Sequence, residues 1–400
     1  MRNIVILLIC LLIVMSAFAQ GPQTAFTPDK HIRTIGAFSE GLARTQVSGS
    51  KYGYIDTSGQ LVVQSVFEEA GNFSEGLALV GQSFDDHTLY GYIDKTGKLL
   101  IPCRYEEARD FSGNRAAVNK NGTWEYIDRQ GKTAMDSSFV RIDTLIDKVY
   151  GGVYNEIKPN PHSFHNGLLL VRRGNLYGYT DTTGKWIIPP VYPYARDFSD
   201  GVAMVASGIK KRDTLSGNDE LARIYNSLPE GEPEYAYGVI DTTGKLLFTA
   251  DVDGMGDFMN GWAPFHQERE WGMMNKAGKI VIPAQFGEQP YEISDGIFFV
   301  QVNGKAEGNR DGYIYILNTD GRTPVKVPLC DTPDHCIVDS HMRFSDGLLA
   351  VQVGNRWGFL DASGKMVITP QFEEVMDFHE GLAAAVTSEG NLVVLRNPVK

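Results

Sequence analysis

The side chains best suited to chemistry in this sequence are paired acids, a few histidines and the cysteines. Glu68-Glu69, Glu106-Glu107 and Glu373-Glu374 each follow an aromatic that closes an apolar run. Two carboxylates about 5 to 9 Å apart are what glycosidic hydrolysis needs, one to protonate the leaving oxygen and one to act as nucleophile or base. These pairs, however, occupy one position of a recurring pattern. A single catalytic centre has no use for several copies, so they read as solvent-facing repeat residues. His162 and His165 lie three apart beside Pro161 and Phe164, and a metal or acid–base role would need partners that the sequence does not place. They read as loop histidines.

Cys330-Asp331-Thr332-Pro333-Asp334-His335-Cys336 puts two thiols and an imidazole in one short segment. A disulfide across a proline turn and plain structural cysteines are the favoured readings. A metal site of Cys330, His335 and Cys336 lacks a fourth ligand and the usual tight spacing of zinc sites. Cys103, inside an apolar strand, reads as buried and reduced. The chain has no Gly-x-Ser-x-Gly elbow, phosphate-binding loop, His-Glu-x-x-His or Cys-x-x-Cys. No catalytic residue, cofactor or metal is therefore assigned, and the expectation is a protein that is not an enzyme.

The elements that carry these residues recur. Aromatic-Gly pairs or their variants stand at Tyr52-Gly53, Tyr90-Gly91, Trp124-Glu125, Tyr177-Gly178, Tyr237-Gly238, Trp271-Gly272, Asp311-Gly312 and Trp357-Gly358. A second landmark precedes them, as in Phe38-Ser39-Glu40-Gly41-Leu42-Ala43, Phe73-Ser74-Glu75-Gly76-Leu77-Ala78, Phe198-Ser199-Asp200-Gly201 and Phe344-Ser345-Asp346-Gly347. A last copy at Phe378-His379-Glu380-Gly381 has a truncated follow-on ending near Leu395. A fixed period of about 34 residues marks a repeat architecture.

Each copy reads as three strands, such as Leu77–Val80, Tyr90–Asp94 and Lys98–Ile101. The last two are joined by the turn Asp94-Lys95-Thr96-Gly97, whose Asp bonds the backbone and whose Gly takes positive φ. The third strand is expected to stop at Pro102, Pro189, Pro283 or Pro370. A packed turn or short fourth strand, as in Phe67-x-x-Ala70-x-x-Phe73, then leads to the next copy. Leu77 and Leu79 point one way, Ala78 and Val80 the other, so both faces of each sheet must be covered. The expectation is an all-β array of about eight three- to four-stranded antiparallel units, with a propeller-like ring favoured over an open β-solenoid.

Insertions interrupt the rhythm at 136–162, 206–235, 303–310 and 327–343. Within the second, Asn218 can cap a helix placing Leu221, Ile224, Tyr225 and Leu228 on one face before Pro229. The aromatics of the repeat suggest sugar stacking, with Trp271 and Trp357 as the candidate ligand-facing rings. Packing over the neighbouring glycine explains them more simply.

The recurring aromatic-Gly-aromatic-Ile-Asp-x-x-Gly-Lys unit and its Phe-Ser-Glu-Gly-Leu-Ala partner resemble the bacterial WG-repeat (tryptophan-glycine β-repeat) proteins over residues 38 to 395. Glu125 and Asp311 depart from the pattern. The resemblance implies an exported or envelope-associated repeat protein and supplies no catalytic residues.

The first residues agree with export. Arg2, the apolar run Ile4–Met15 and Ala17-Phe18-Ala19 read as a cleavable signal over 1–19, leaving a single repeat domain over 20–400. The apolar run is too short for a membrane span, which needs about 20 residues. No span is expected after cleavage, and the protein should be periplasmic, cell-surface or secreted. The chain has 49 acidic against 37 basic residues, a net charge of −12, and its one basic cluster, Lys210-Lys211-Arg212, is followed by Asp213. That balance excludes nucleic acid as the expected partner. A non-catalytic scaffold for a protein partner is the leading expectation, with a glycan or cell-wall binding module as the alternative. An enzyme assembled from the insertions comes third.

Overall fold

A computed structural model of the chain describes residues 23–85, 87–136, 162–209, 235–287, 290–294, 297–302, 313–318, 325–328, 330–332 and 335–400. The expected leader, the helix expected after Asn218 and most of the insertions lie outside them. All regular elements of the described residues are strands, and they form small antiparallel sheets of three to five strands. The chain divides into two compact units, Val66–Pro290 and Met1–Ser65 with Tyr291–Lys400.

In the first of these units, one sheet shows the plan: Glu69–Ser74, Leu77–Phe84, His87–Asp94 and Leu99–Tyr105, hydrogen-bonded in chain order. The copy is thus a four-stranded sheet, its first strand being the segment read from the sequence as a return. The turn between the first two strands is the Phe-Ser-Glu-Gly landmark. Glu75 and Gly76 both have positive φ, 52° and 79°, the signature of a two-residue type I′ hairpin.

The fourth strand does not stop at its proline. Strands Leu99–Tyr105, Trp186–Tyr192, Ile280–Phe286 and Met366–Phe372 run through Pro102, Pro189, Pro283 and Pro370. The ladder tolerates them through a bulge: Tyr90 pairs with Tyr105 and Tyr92 with Ile101, so two steps on the third strand oppose four on the fourth. The same bulge recurs at Tyr177–Tyr179, Trp271–Met273 and Trp357–Phe359. It pushes backbone onto the glycine of the aromatic-Gly pair. A Cβ built at Gly91 would lie 2.4 Å from the Ile101 carbonyl oxygen, and at Gly178 2.5 Å from that of Ile188. Close backbone approach therefore accounts for the glycine.

Burial follows the alternation in the sequence. Leu168 and Leu170 enter one core cluster with Phe198 and Val205, while Leu169 and Val171 enter another with Trp124, Tyr126 and Phe164. Ala203 and Val205 join the first of these clusters, and Val202 and Met204 a third with Val239 and Phe265. One strand thus feeds two cores, and each sheet is covered on both faces. Polar links reinforce the stacking. The Tyr92 hydroxyl donates to the Arg109 carbonyl at 2.6 Å and Tyr179 to that of Arg196 at 2.6 Å. Their rings meet Phe111 and Phe198 edge-on at 4.8 and 4.6 Å. Ser74 Oγ donates to the Phe111 carbonyl at 2.8 Å. Glu75 accepts from the amides of Gly113 and Asn114, at 2.8 Å each.

The other unit uses the same devices. Leu348 and Ala350 face a core with Phe378, whereas Leu349 and Val351 face one with Ile316 and Phe344. Its sheet of Glu374–Val375, Leu382–Val386 and Leu392–Arg396 is the copy whose follow-on is truncated. Strand Thr24–Phe26 completes it, with Thr24 opposite Leu395 and Phe26 opposite Val394. This sheet packs on the one formed by Ile32–Ser39, Leu42–Val47, Tyr52–Asp56 and Leu61–Phe67 through Ile35, Phe38, Leu382, Ala384 and Val394. The Gly41 amide donates to Glu380 at 2.8 Å, the same turn-to-turn link as Glu75 makes with Gly113.

Candidate functional site

The antiparallel order gives each sheet two unlike ends. The Phe-Ser-Glu-Gly hairpin and the Asp-x-x-Gly turn both lie at one end. The turn between the second and third strands and the connection to the next sheet lie at the other.

The first end is built for rigidity. Asp94 Oδ1 accepts from the Thr96 amide at 2.9 Å, the Thr96 hydroxyl at 2.6 Å and the Lys98 amide at 3.1 Å. The Thr96 hydroxyl foremost holds the Asp94 carboxyl below its usual range. Asp181 with Thr183 and Asp241 with Thr243 repeat the arrangement. These acids are consumed by turn chemistry, as their spacing predicted.

The second end carries the variable segments. Strand Val202–Ile209 pairs with Tyr235–Asp241 down to Ile209 opposite Tyr235, so the insertion at 206–235 leaves and re-enters the sheet at adjacent points of this end. The insertion at 136–162 follows the fourth strand Thr133–Met135, also at this end of its sheet. In the unit Met1–Ser65 with Tyr291–Lys400, the insertion at 303–310 follows Ile297–Val302, a second strand. The segment read as an insertion at 327–343 is instead mostly strand, taking in Cys330–Thr332 and most of His335–Ser345, the latter the element that leads into the next hairpin. The other three lie at the second end of their own sheets.

The aromatics of the aromatic-Gly pairs in the described strands lie in the first half of the third strand, on the side of this end. Trp124 and Tyr177 are buried, at 4% and 5% exposure, with Arg109 over the former ring and Arg172 over the latter. Trp357 is half-buried, opposite Gln352 and Phe372, and packs on the cluster containing Phe359. Trp271 is half-buried opposite His266, with ring centroids 5.0 Å apart. Tyr90 donates to Glu69 at 2.8 Å; burial, together with that carboxylate, pushes its hydroxyl up to about 12.

The acid pairs serve their own sheets. Glu106 accepts from the amides of Asn121 and Gly122 at 3.2 Å each, Glu107 lies 3.2 Å from Asn119 Nδ2, and Glu373 lies 3.2 Å from Arg356 Nη1. Glu106 thereby pins the strand entering its sheet to the turn beside it, whereas Glu373 ties back to a strand of the sheet that the chain is leaving. His162 acquires the partner that its sequence could not supply: its Nδ1 is 3.2 Å from Asp197 Oδ2, and its carbonyl accepts from the Tyr126 hydroxyl at 2.7 Å. His165 pairs with Leu168 through the backbone. Among the described residues no group of three His, Cys, Asp or Glu side chains is arranged to hold a metal. Cys330 and Cys336 lie opposite one another on adjacent strands. Cys103 is buried.

A separate depression of about 480 Å³ lies against the sheet that begins at Ile32, lined by Asp29, His31, Ile32, Val47, Ser48, Gly59 and Leu61. His31 Nδ1 is 3.3 Å from Asp29 Oδ1. Of these residues only Gly59 belongs to a recurring landmark, the Asp56-Thr57-Ser58-Gly59 turn, so no signal in the sequence marked a depression here.

Comparison with known proteins supports the architecture. The pattern of the WG containing repeat matches residues 52–82, 90–124, 177–208, 237–268, 271–305 and 357–390. No curated protein matches the sequence. Among solved structures, a eukaryotic initiation factor is similar over 94% of this chain and 93% of its own, at 10% identity and a TM-score of 0.50. BamB from Moraxella catarrhalis is similar over 93% of this chain and 98% of its own, at 12% identity and a TM-score of 0.38. The initiation factor is a β-propeller protein, a likeness that bears on the fold alone. The described residues contain no helix long and apolar enough to cross a membrane. The recurring hairpins and the repeats matched from residue 52 to 390 together make this chain a member of the WG-repeat family.

Proposed function

We propose that this protein is an exported, non-catalytic repeat scaffold that holds a protein partner at the insertion-bearing end of its sheets. The observation that carries the reading is the division of labour between the two ends. One is spent on short turns repeated with little change, while the insertions at 136–162, 206–235 and 303–310 are grafted on the other, each in its own sheet. Segments grafted on a rigid repeat are where recognition is normally sited.

The leader over 1–19 directs the chain out of the cytoplasm in this reading. Cell fractionation should recover a mature protein beginning near Gln20, and a cytoplasmic protein retaining Met1–Ala19 would sink the export claim. For the scaffold, residues 210–234 are replaced by Asn-Gly, which Ile209 and Tyr235 can flank as a ladder pair. Partners cross-linked to the native chain in cells should be lost from this variant and kept by one altered at exposed Lys95. Equal loss from both, or from neither, rejects the assignment to this end.

The second reading is a glycan-binding module, favoured by the half-buried indole of Trp271 beside His266. Retention on peptidoglycan or polysaccharide that falls in folded Trp271→Ala and Trp357→Ala variants would establish it instead.

A further inference from the structure

We propose that Cys330 and Cys336 form a disulfide that staples a hairpin at the insertion-bearing end. The two residues lie directly opposite on the antiparallel strands Cys330–Thr332 and His335–Ser345, and Thr332 lies opposite His335. Pro333 and Asp334 alone separate the second pair in sequence. The ladder is irregular between these two pairs, with Asp331 as an extra residue on the first strand. Opposed residues of antiparallel strands have Cα atoms about 4.5 to 5.5 Å apart, inside the roughly 4.4 to 6.8 Å that a disulfide spans, so the pairing brings the two cysteines into the range that a disulfide bridges.

The position matters as much as the spacing. Strand His335–Ser345 runs on into the Ser345-Asp346-Gly347 turn, so Cys336 is near its beginning, at the end of the sheet that bears insertions. This sheet is also the one with five strands, the additional one being Cys330–Thr332. A three-residue strand with so few ladder bonds gains most from a covalent tie, because a short hairpin is marginal in water on its own. The third thiol of the expected mature chain does not compete. Cys103 is buried and lies 3.8 Å from the Val80 carbonyl as a donor, and desolvation pushes its thiol up to about 11, so it stays protonated and a poor nucleophile.

The reaction is thiol–disulfide exchange with oxidised glutathione or an equivalent cellular disulfide. One cysteine thiolate attacks a glutathione sulfur and releases a glutathione thiolate. The second attacks the mixed disulfide and releases the other. The two protons lost by the cysteines go to the two glutathione thiolates, so one disulfide is reduced as one forms.

The inference rests on the export reading only for its cellular occurrence, and the test separates the two. The full-length protein is equilibrated with oxidised glutathione, alkylated in denaturant without reductant and digested with trypsin, which releases Val327–Arg343 as one peptide. That peptide should carry no alkyl group and be lighter by two hydrogens than its dithiol form; prior reduction should give two alkyl groups, and Cys330→Ser one. Two alkyl groups without reduction would overturn the proposal. Protection that appears only when zinc is added, and vanishes with chelator, would also overturn it in favour of a metal site. A bond that forms readily in the purified protein, alongside a reduced and cytoplasmic pool in cells, would instead fail the export reading alone.

Discussion

The α-carbon of Gly91 lies beneath the carbonyl of Ile101, so close that a methyl group there would sit 2.4 Å from the oxygen and 2.7 Å from the Cys103 nitrogen. Both clashing atoms are backbone and cannot swing aside. Gly91→Ala must therefore flatten the bulge or part the two strands, at a cost of about 2 to 4 kcal/mol, the range expected where overpacking falls on a fixed ladder. Urea unfolding of the variant should show a lower midpoint with an unchanged slope. A midpoint equal to the native value would show that the bulge yields freely.

Glu75 contributes in an opposite sense, since it occupies a backbone conformation that disfavours its side chain. Its φ of 52° is more readily adopted by Asn or Gly. What retains the glutamate is its carboxylate, which takes up the Gly113 and Asn114 amides of the neighbouring hairpin. Glu75→Gly relaxes the turn yet strands two amides in a partly solvated place. We expect a net loss of about 1 kcal/mol, because the bonds are charge-assisted but exposed. A stabilised Glu75→Gly protein in the same urea titration would show that the link between hairpins is negligible.

Tyr92 offers a cleaner deletion. It is fully buried, and its hydroxyl donates to the Arg109 carbonyl. Tyr92→Phe keeps the edge-on contact with Phe111 and leaves one buried acceptor unmatched, which should cost about 1 to 2 kcal/mol. Tyr179→Phe should behave alike through Arg196. A cost near zero would mean that water replaces the lost donor.

These elements also mark how far the sequence could be read. The consecutive apolar residues of Leu77–Val80 announced sheets covered on both faces, and the Asp-x-x-Gly spacing announced the turns, because both signals are local. The bulge was not legible. Pro102 removes a donor, and only the pairing of Tyr90 with Tyr105 shows that the ladder resumes beyond it. Nor was the role of Thr24–Phe26, whose partner is nearly the whole chain away. At the candidate site, the end of its own sheet at which an insertion lies follows from strand order, whereas the partner of His162 depends on a contact with Asp197 that no spacing encodes.

The turn acids predict a dependence on pH. Asp94, Asp181 and Asp241 have carboxyls held below their ordinary value of 3.8, led by the hydroxyls of Thr96, Thr183 and Thr243. A depressed folded value means that the ionised form is favoured by folding. Its contribution is in place above the unfolded carboxyl range, about pH 4, and is lost as pH falls through the folded value. The urea midpoint should hold steady from about pH 7 to 5 and drop below about pH 4. Asp94→Asn should lower the plateau and shallow the acid drop, and an unaltered acid limb would remove these turns as its source.

The strand Thr24–Phe26 closes an edge that would otherwise be open. It covers Leu392–Arg396, and the Arg396 amide donates to the Gln23 carbonyl at 2.8 Å. Phe26 anchors it by lying over Gly59, where an added Cβ would sit 2.6 Å from the ring. Two ladder pairs, the Gln23 bond and the packing of Ala25 and Phe26 on the core hold this short segment, so removing the ring should loosen it. Phe26→Ala then exposes unpaired backbone along a strand of Leu392, Val393, Val394 and Leu395, the kind of apolar edge that pairs with other chains. Light scattering at rising protein concentration should detect association in Phe26→Ala while the native protein stays unchanged. Placing a charge on that edge, as in Val393→Lys, should suppress the association without restoring the anchor. If Phe26→Ala scatters no more than the native chain at any concentration, the ring is not what keeps the edge covered.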